Sequence, residues 1–219
     1  MTNEKLYALA TENLECICHG YAKECNMGSG EEFFESVKKH PDTFSRYYPA
    51  LAAAIEIWAT AKEDVLKSKG GTAYSAIKRM IKNIPEHNSR LRGTWVDKEG
   101  RQCVCDGYHA VRMKTHTDGF DNIEEPIDLD KVMNVEGNPS ELTLPTPGEL
   151  KTCIAEQKKK DRKFYDFGED RPRVDATYLK DMMDILPNAK VTWYGTNRAL
   201  IFKSENGDGI LLPVHKYTA

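Results

Sequence analysis

The chain has 219 residues, 40% of them hydrophobic and 30% charged, with a formal net charge of −3 at neutral pH. This is the composition of a globular protein with room for one large domain or two small ones, and it excludes wholesale adsorption to polyanions while leaving room for a local basic face. No apolar run reaches membrane-spanning length, the opening Met1-Thr2-Asn3-Glu4-Lys5 lacks a signal segment, and the six cysteines read as reduced thiols, so a cytoplasmic protein with no membrane partner is expected.

Residues 1–71 read as a helical segment. Leu6, Ala10, Leu14, Ile17, Tyr21 and Cys25 recur at three- and four-residue steps and make one apolar stripe. Gly28-Ser29-Gly30 breaks it. Ser29 with Glu32 is a capping-box pattern for a short helix through Phe33, Phe34 and Val37, which Pro41-Asp42 closes. A third helix is predicted from Pro49, where a missing N–H costs nothing, through Ile55, Trp58, Ala61 and Leu66 to a C-cap at Gly70-Gly71.

From Thr72, a candidate N-cap, the chain says nearly the same thing twice. Ile77-Lys78-Arg79-Met80-Ile81-Lys82-Asn83-Ile84-Pro85 matches Leu179-Lys180-Asp181-Met182-Met183-Asp184-Ile185-Leu186-Pro187 without a gap in its apolar, first Lys, Met and Pro positions. Each copy is followed by three apolar runs separated by turns, over 91–96, 102–105 and 108–113 in the first and 191–194, 199–202 and 210–214 in the second. A helix feeding a three-stranded meander, used twice, predicts an α+β protein whose duplicated domain spans 72–219, with halves of about 72–146 and 147–219. The polar segment between the copies is predicted to hold short strands at 127–129 and 142–144, since Pro145 and Pro147 bar a helix there. A helix from Gly148 to about Lys160 then carries Leu150, Cys153, Ile154 and Gln157 on one face. Residues 164–167 read as a strand, and Asp175 caps the second repeat helix, with Tyr178, Leu179, Met182, Met183 and Leu186 as its buried stripe.

The helix Val174-Asp175-Ala176-Thr177-Tyr178-Leu179-Lys180-Asp181-Met182-Met183, the meander after it and the ending Ile210-Leu211-Leu212-Pro213-Val214-His215-Lys216 resemble the C-terminal part of the bacterial DNA sliding clamp, the beta subunit of DNA polymerase III. Val104-Cys105-Asp106-Gly107-Tyr108-His109-Ala110 is similar to the clamp's strand–Asp–strand step, and Leu212 stands where that family usually has Met. The resemblance covers residues 72–216 as one clamp-type domain where a clamp protomer has three, and residues 1–71 have no counterpart in it. It implies a reduced relative, of the kind a phage or mobile element encodes, acting as a non-enzymatic accessory of DNA replication. Such a protein binds double-stranded DNA, a short motif of a polymerase or repair protein, or both, and forms a homo-oligomer if a ring is made.

In clamps the helices face the duplex and touch phosphates without reading sequence. The matching cations here are Lys78, Arg79 and Lys82 on the first repeat helix and Lys151, Lys158, Lys159, Lys160, Arg162 and Lys163 on and after the inserted helix. Asp181 and Asp184 interrupt the pattern on the second. The closing strand implies Leu212, Pro213, Val214 and His215 as walls of a peptide pocket. Read from the residues alone, the same cations are solvated helix faces, and Leu212 and Val214 alternate inward as the core of an edge strand. The alternative function is therefore a protein-interaction module with a clamp-like fold and no DNA binding.

Cys16, Cys18, His19 and Cys25 invite a zinc reading, but neighbours on a helix diverge by about 100° per residue, so no metal is expected. Cys103 and Cys105 alternate around Val104 and read as small apolar packers on one strand face. No Walker loop, Gly-x-Ser-x-Gly elbow, His-Glu-x-x-His or dinucleotide fingerprint occurs, so neither an enzyme nor a cofactor is expected.

Overall fold

The computed structural model describes residues 1–157 and 162–215. Lys158, Lys159 and Lys160, expected in the last turn of the inserted helix, lie outside the described residues. The chain divides into two compact units, Met1–Gly71 and Thr72–Ala219. Among the described residues no helix is long and apolar enough to cross a membrane.

The first unit consists of α1 (Asn3–Cys25), α2 (Gly30–Lys39), α3 (Pro41–Tyr47) and the first part of α4 (Pro49–Asn83). Thr2 and Ser29 cap α1 and α2 by accepting from the backbone N–H groups of Lys5 and Glu32. The buried stripe of α1 is Ala10, Leu14, Cys18 and Ala22, while Leu6 is exposed at 41% and Cys25 is exposed. Three of those four side chains are small. They let α2 lie close enough to bury Phe33, Phe34 and Val37, which leaves the larger Ile17 and Tyr21 on the flank of the contact. α2 ends at Lys39, ahead of Pro41-Asp42 as the sequence predicts, and Pro41 also opens a new helix. It occupies the first turn of α3, where its missing N–H has no helical partner to lose. α4 is interrupted at Gly71 (φ 57°, ψ −140°), a conformation in which a side chain would be strained, and the helix resumes to Asn83.

The second unit is α+β. Its main sheet has seven antiparallel strands in the order β1-β2-β3-β9-β8-β7-β4. These are β1 (Trp95–Val96), β2 (Gln102–Cys105), β3 (His109–Met113), β4 (Ser140–Leu142), β7 (Lys190–Trp193), β8 (Leu200–Ser204) and β9 (Gly207–Leu211). Each repeat contributes three consecutive strands, and the third strand of one pairs with the third strand of the other, Val111 opposite Gly209. The second part of α4 and α7 (Ala176–Ile185) cover one face of this sheet. There Ile77, Met80, Leu179, Met182 and Ile185 pack with Val104, Val111, Met113, Phe202 and Leu211. Gly209 makes that approach possible, because a Cβ there would stand 2.5 Å from Met182 Cε and 2.9 Å from the Ala110 carbonyl oxygen. The period-two alternation sends Cys103, Cys105, Ala110, Ile201 and Ile210 to the opposite face, where Leu91, Ile123 and Leu129 pack with them.

The segment between the repeats departs from expectation. Residues 127–129 form no strand; Asp128 instead accepts from Asp130 N–H and caps a helical turn, α5 (Leu129–Val132). No helix forms at 142–144, as the prolines predict, and the helix expected from Gly148 begins one residue earlier as α6 (Pro147–Glu156), behind a reciprocal capping box between Thr146 and Glu149. β5 (Phe164–Asp166) pairs with β6 (Arg173–Asp175), a strand too short and polar for alternation to reveal. Asp175 then caps α7 by accepting from Thr177 and Tyr178 N–H.

Candidate functional site

The two repeat helices meet where the two halves meet. Arg79 and Asp181 are the same position in the two copies, 102 residues apart, and the approximate two-fold relation brings them together. Arg79 Nε donates to Asp181 Oδ1 at 2.8 Å, and its Nη2 donates to the same oxygen and to Asp184 Oδ2 at 3.2 Å. Lys180 holds Asp184 from the other side. The Asp181 side chain is wholly buried while that of Arg79 is 37% exposed. Burial pushes the Asp181 carboxyl above the usual carboxylate range, against the opposing pull of Arg79.

Next to this pair stands His109, the first residue of β3. Its Nδ1 lies 3.0 Å from Asp106 Oδ1, an oxygen that also accepts from the backbone N–H groups of Tyr108 and His109 and so closes the Asp-Gly turn. Nε2 lies 4.0 Å from Asp181 Oδ2. Asp106 Oδ2, His109 Nε2 and Asp181 Oδ2 are all buried without a hydrogen-bond partner among the described residues. The Tyr178 ring stacks on His109 at 4.7 Å, and Tyr108 stacks on Tyr178 at 5.7 Å. Burial, then the nearby Asp106 and Asp175 carboxylates, push the Tyr178 phenol up to about 12. A column of rings thus runs from Tyr108, 46% exposed, inward to an imidazole closed to solvent. What this cluster does in the folded chain is tie β3 to α7.

The closing segment begins on the outer end of that column. Leu212 N–H donates to the Tyr108 carbonyl, and Val214 N–H donates to the Arg173 carbonyl at 2.7 Å, so the chain passes from the main sheet to the β5–β6 pair across Pro213. Pro213 has no N–H to offer and sits between those two bonds. Leu212 is 42% exposed, Pro213 and Val214 are half-buried and His215 is exposed. The segment and Tyr108 together form a ledge of apolar and aromatic surface. Two clefts of about 380 Å³ each lie elsewhere, one beside Trp95, Arg112 and Asp130, the other lined by Leu144, Pro147, Leu150, Met183 and Leu186.

Of the cations expected to face DNA, Lys78 and Lys82 are exposed on α4, Lys151 is exposed on α6, Arg162 is exposed ahead of β5 and Lys163 is half-buried there. Arg79 is different. Its guanidinium is engaged by two carboxylates, because the helix partner on the two-fold covers what the repeat pattern showed as polar surface. Asp181, taken in the sequence for a break in a basic face, is core. Tyr108 and the inward-facing His109 were not singled out; the Tyr-His pair after an Asp-Gly turn was the available signal, and only stacking on Tyr178 gives it meaning. The cysteines read as a poor zinc set are split by the fold, with Cys16 and Cys25 exposed and Cys18 buried. Burial pushes the Cys18 thiol up to about 11 and that of Cys103 up to about 12.

Comparison with family models, with curated proteins and with solved structures finds no match to this chain.

Proposed function

We propose that the second unit is a clamp-like domain and that the chain is a non-enzymatic accessory of DNA replication, which captures a short apolar segment of a polymerase or repair protein on its closing strand. The observation that carries this reading is the ledge of Leu212, Pro213 and Val214 beside Tyr108, where the two most exposed side chains are hydrogen-bonded neighbours through their backbones. Two helix-plus-meander halves with the same strand order, joined through their third strands, support it. A second reading, an interaction module of the same fold without DNA binding, is favoured by the neutralised centre of the helix face, where Arg79 and Lys180 are both spent on Asp181 and Asp184.

Val214→Asp tests the ledge. Val214 packs in none of the three buried clusters described above, so the variant is expected to melt within a few degrees of the parent and to lose binding of fluorescent peptides taken from polymerase C-termini. A collapsed melting transition would show that the strand is core and that the ledge reading is wrong. Labelled duplex DNA, titrated at low and then raised salt, separates the two functions: salt-sensitive, sequence-independent binding supports the first, and none at low salt supports the second.

A further inference from the structure

The function proposed above leaves the helical first unit without a role, and that unit carries a ligand set. Glu15 and His19, four residues apart on α1, project from the same helix face. Glu31 lies in the first turn of α2, which the chain reaches after reversing at Gly28. One carboxylate oxygen of each glutamate and one imidazole nitrogen lie within 4.8 Å of one another, and His19 Nε2 is 3.7 Å from Glu31 Oε2.

The position of the ring is set independently of the two carboxylates. A Cβ on Gly30 would fall 2.7 Å from His19 Cδ2 and Cγ and 2.9 Å from its Cα, so the start of α2 rests directly on the imidazole. Any other residue at position 30 would push α2 off α1 and carry Glu31 away with it. The donor set is therefore held by the packing of one helix end on another.

Its chemistry selects the ion. Two carboxylates and an imidazole suit first-row divalent cations, whereas Mg²⁺ and Ca²⁺ favour oxygen donors alone. Donors around a tetrahedral zinc stand about 3.3–3.6 Å apart, at bonds of roughly 2.0–2.2 Å. With the ring held by that packing, the present spread closes to that by small rotations of the glutamate side chains, that of Glu31 being 64% exposed. Three protein ligands leave the remaining position to water.

We propose that Glu15, His19 and Glu31 bind a divalent transition metal, Zn²⁺ in the first instance, which clasps α1 to α2 and stabilises the helical unit by binding its folded state alone. The test uses the whole chain and metal chlorides in chelator-free buffer, with Co²⁺ as a spectroscopic stand-in. One equivalent of Zn²⁺ is expected to bind, to raise the melting temperature, and to displace Co²⁺ with loss of its visible absorption, while Mg²⁺ does none of these. His19→Ala and Glu31→Gln are each expected to weaken binding at least about tenfold. Both positions are exposed, so far-ultraviolet circular dichroism of the metal-free variants should match the parent. Gly30→Ala keeps all three donors and should weaken binding as well, whereas Cys16→Ser/Cys25→Ser should leave it unchanged. Unchanged zinc affinity in His19→Ala, or loss only in the cysteine variant, would overturn the proposal, as would no binding by the parent chain.

Discussion

Replacing Arg79 by Met removes a cation while keeping much of its aliphatic volume, and it isolates the energetic role of the two-fold contact. The parent guanidinium gives Asp181 two hydrogen bonds, and the next positive candidate, His109 Nε2, is 4.0 Å away. Without Arg79, a carboxylate with no solvent exposure is left uncompensated. Breaking a buried pair by removing one partner costs about 3–5 kcal/mol. The guanidinium is itself 37% exposed and partly screened, which places the expected loss at the lower end, about 3 kcal/mol. In a unit of this size that corresponds to a fall in melting temperature of roughly 6–12 °C.

The pH dependence has a definite sign. Burial raises the folded-state pKa of Asp181 above its unfolded value, so the stability contributed by the protonated form is fully present below the unfolded pKa and lost as pH rises through the folded one. Removing Arg79 takes away the main opposing pull, so the deficit of Arg79→Met relative to the parent should shrink as pH is lowered from neutrality toward the carboxylate range. Urea unfolding at several pH values measures this difference. The double variant Arg79→Met/Asp181→Leu should recover most of the loss, because a buried ion pair exchanged for apolar side chains is often neutral in stability. A single-variant loss under about 1 kcal/mol at neutral pH, or a deficit that grows on acidification, would refute the reasoning.

Two further outcomes are expected. Gly209→Ala places a methyl 2.5 Å from Met182 Cε and 2.9 Å from a backbone oxygen; because the carbonyl cannot yield as the Met can, a loss of about 1–3 kcal/mol should appear in urea unfolding, and parent-like stability would mean that α7 does not press on the strand there. A thiol reagent such as dithionitrobenzoate should react with Cys16 and Cys25 in the folded chain but with Cys18, Cys103 and Cys105 only on unfolding, since the first two are exposed and the last three buried; fast reaction of Cys103 would contradict its burial and its raised pKa.

Much of the local structure was legible in the order of residues. Ser29, Thr146 and Asp175 act as caps through side chains one turn from their targets, and Phe33, Phe34 and Val37 face one way because a helix repeats every 3.6 residues. Of the three, only Thr146 is not evident as a cap in the sequence, which places the helix start at Gly148, two residues after it. The duplication was legible too, because a helix and a meander are each specified within a few dozen residues and similar strings specify them alike.

What the sequence by itself determined was thus the longer helices and the two meanders with their apolar faces, while short elements such as α3, α5 and β6 escaped it. Tertiary structure decided what the polar faces meet. On an isolated α7, periodicity puts Asp181 on the water side; Arg79 of the other repeat covers it only because the third strands pair and bring the helices together. His109 and Asp106 sit on a short turn that reads as solvated until Tyr178 closes over it. The burial of a charge depends on a partner far along the chain, and that partner is set by strand register and helix packing, neither of which short-range periodicity encodes.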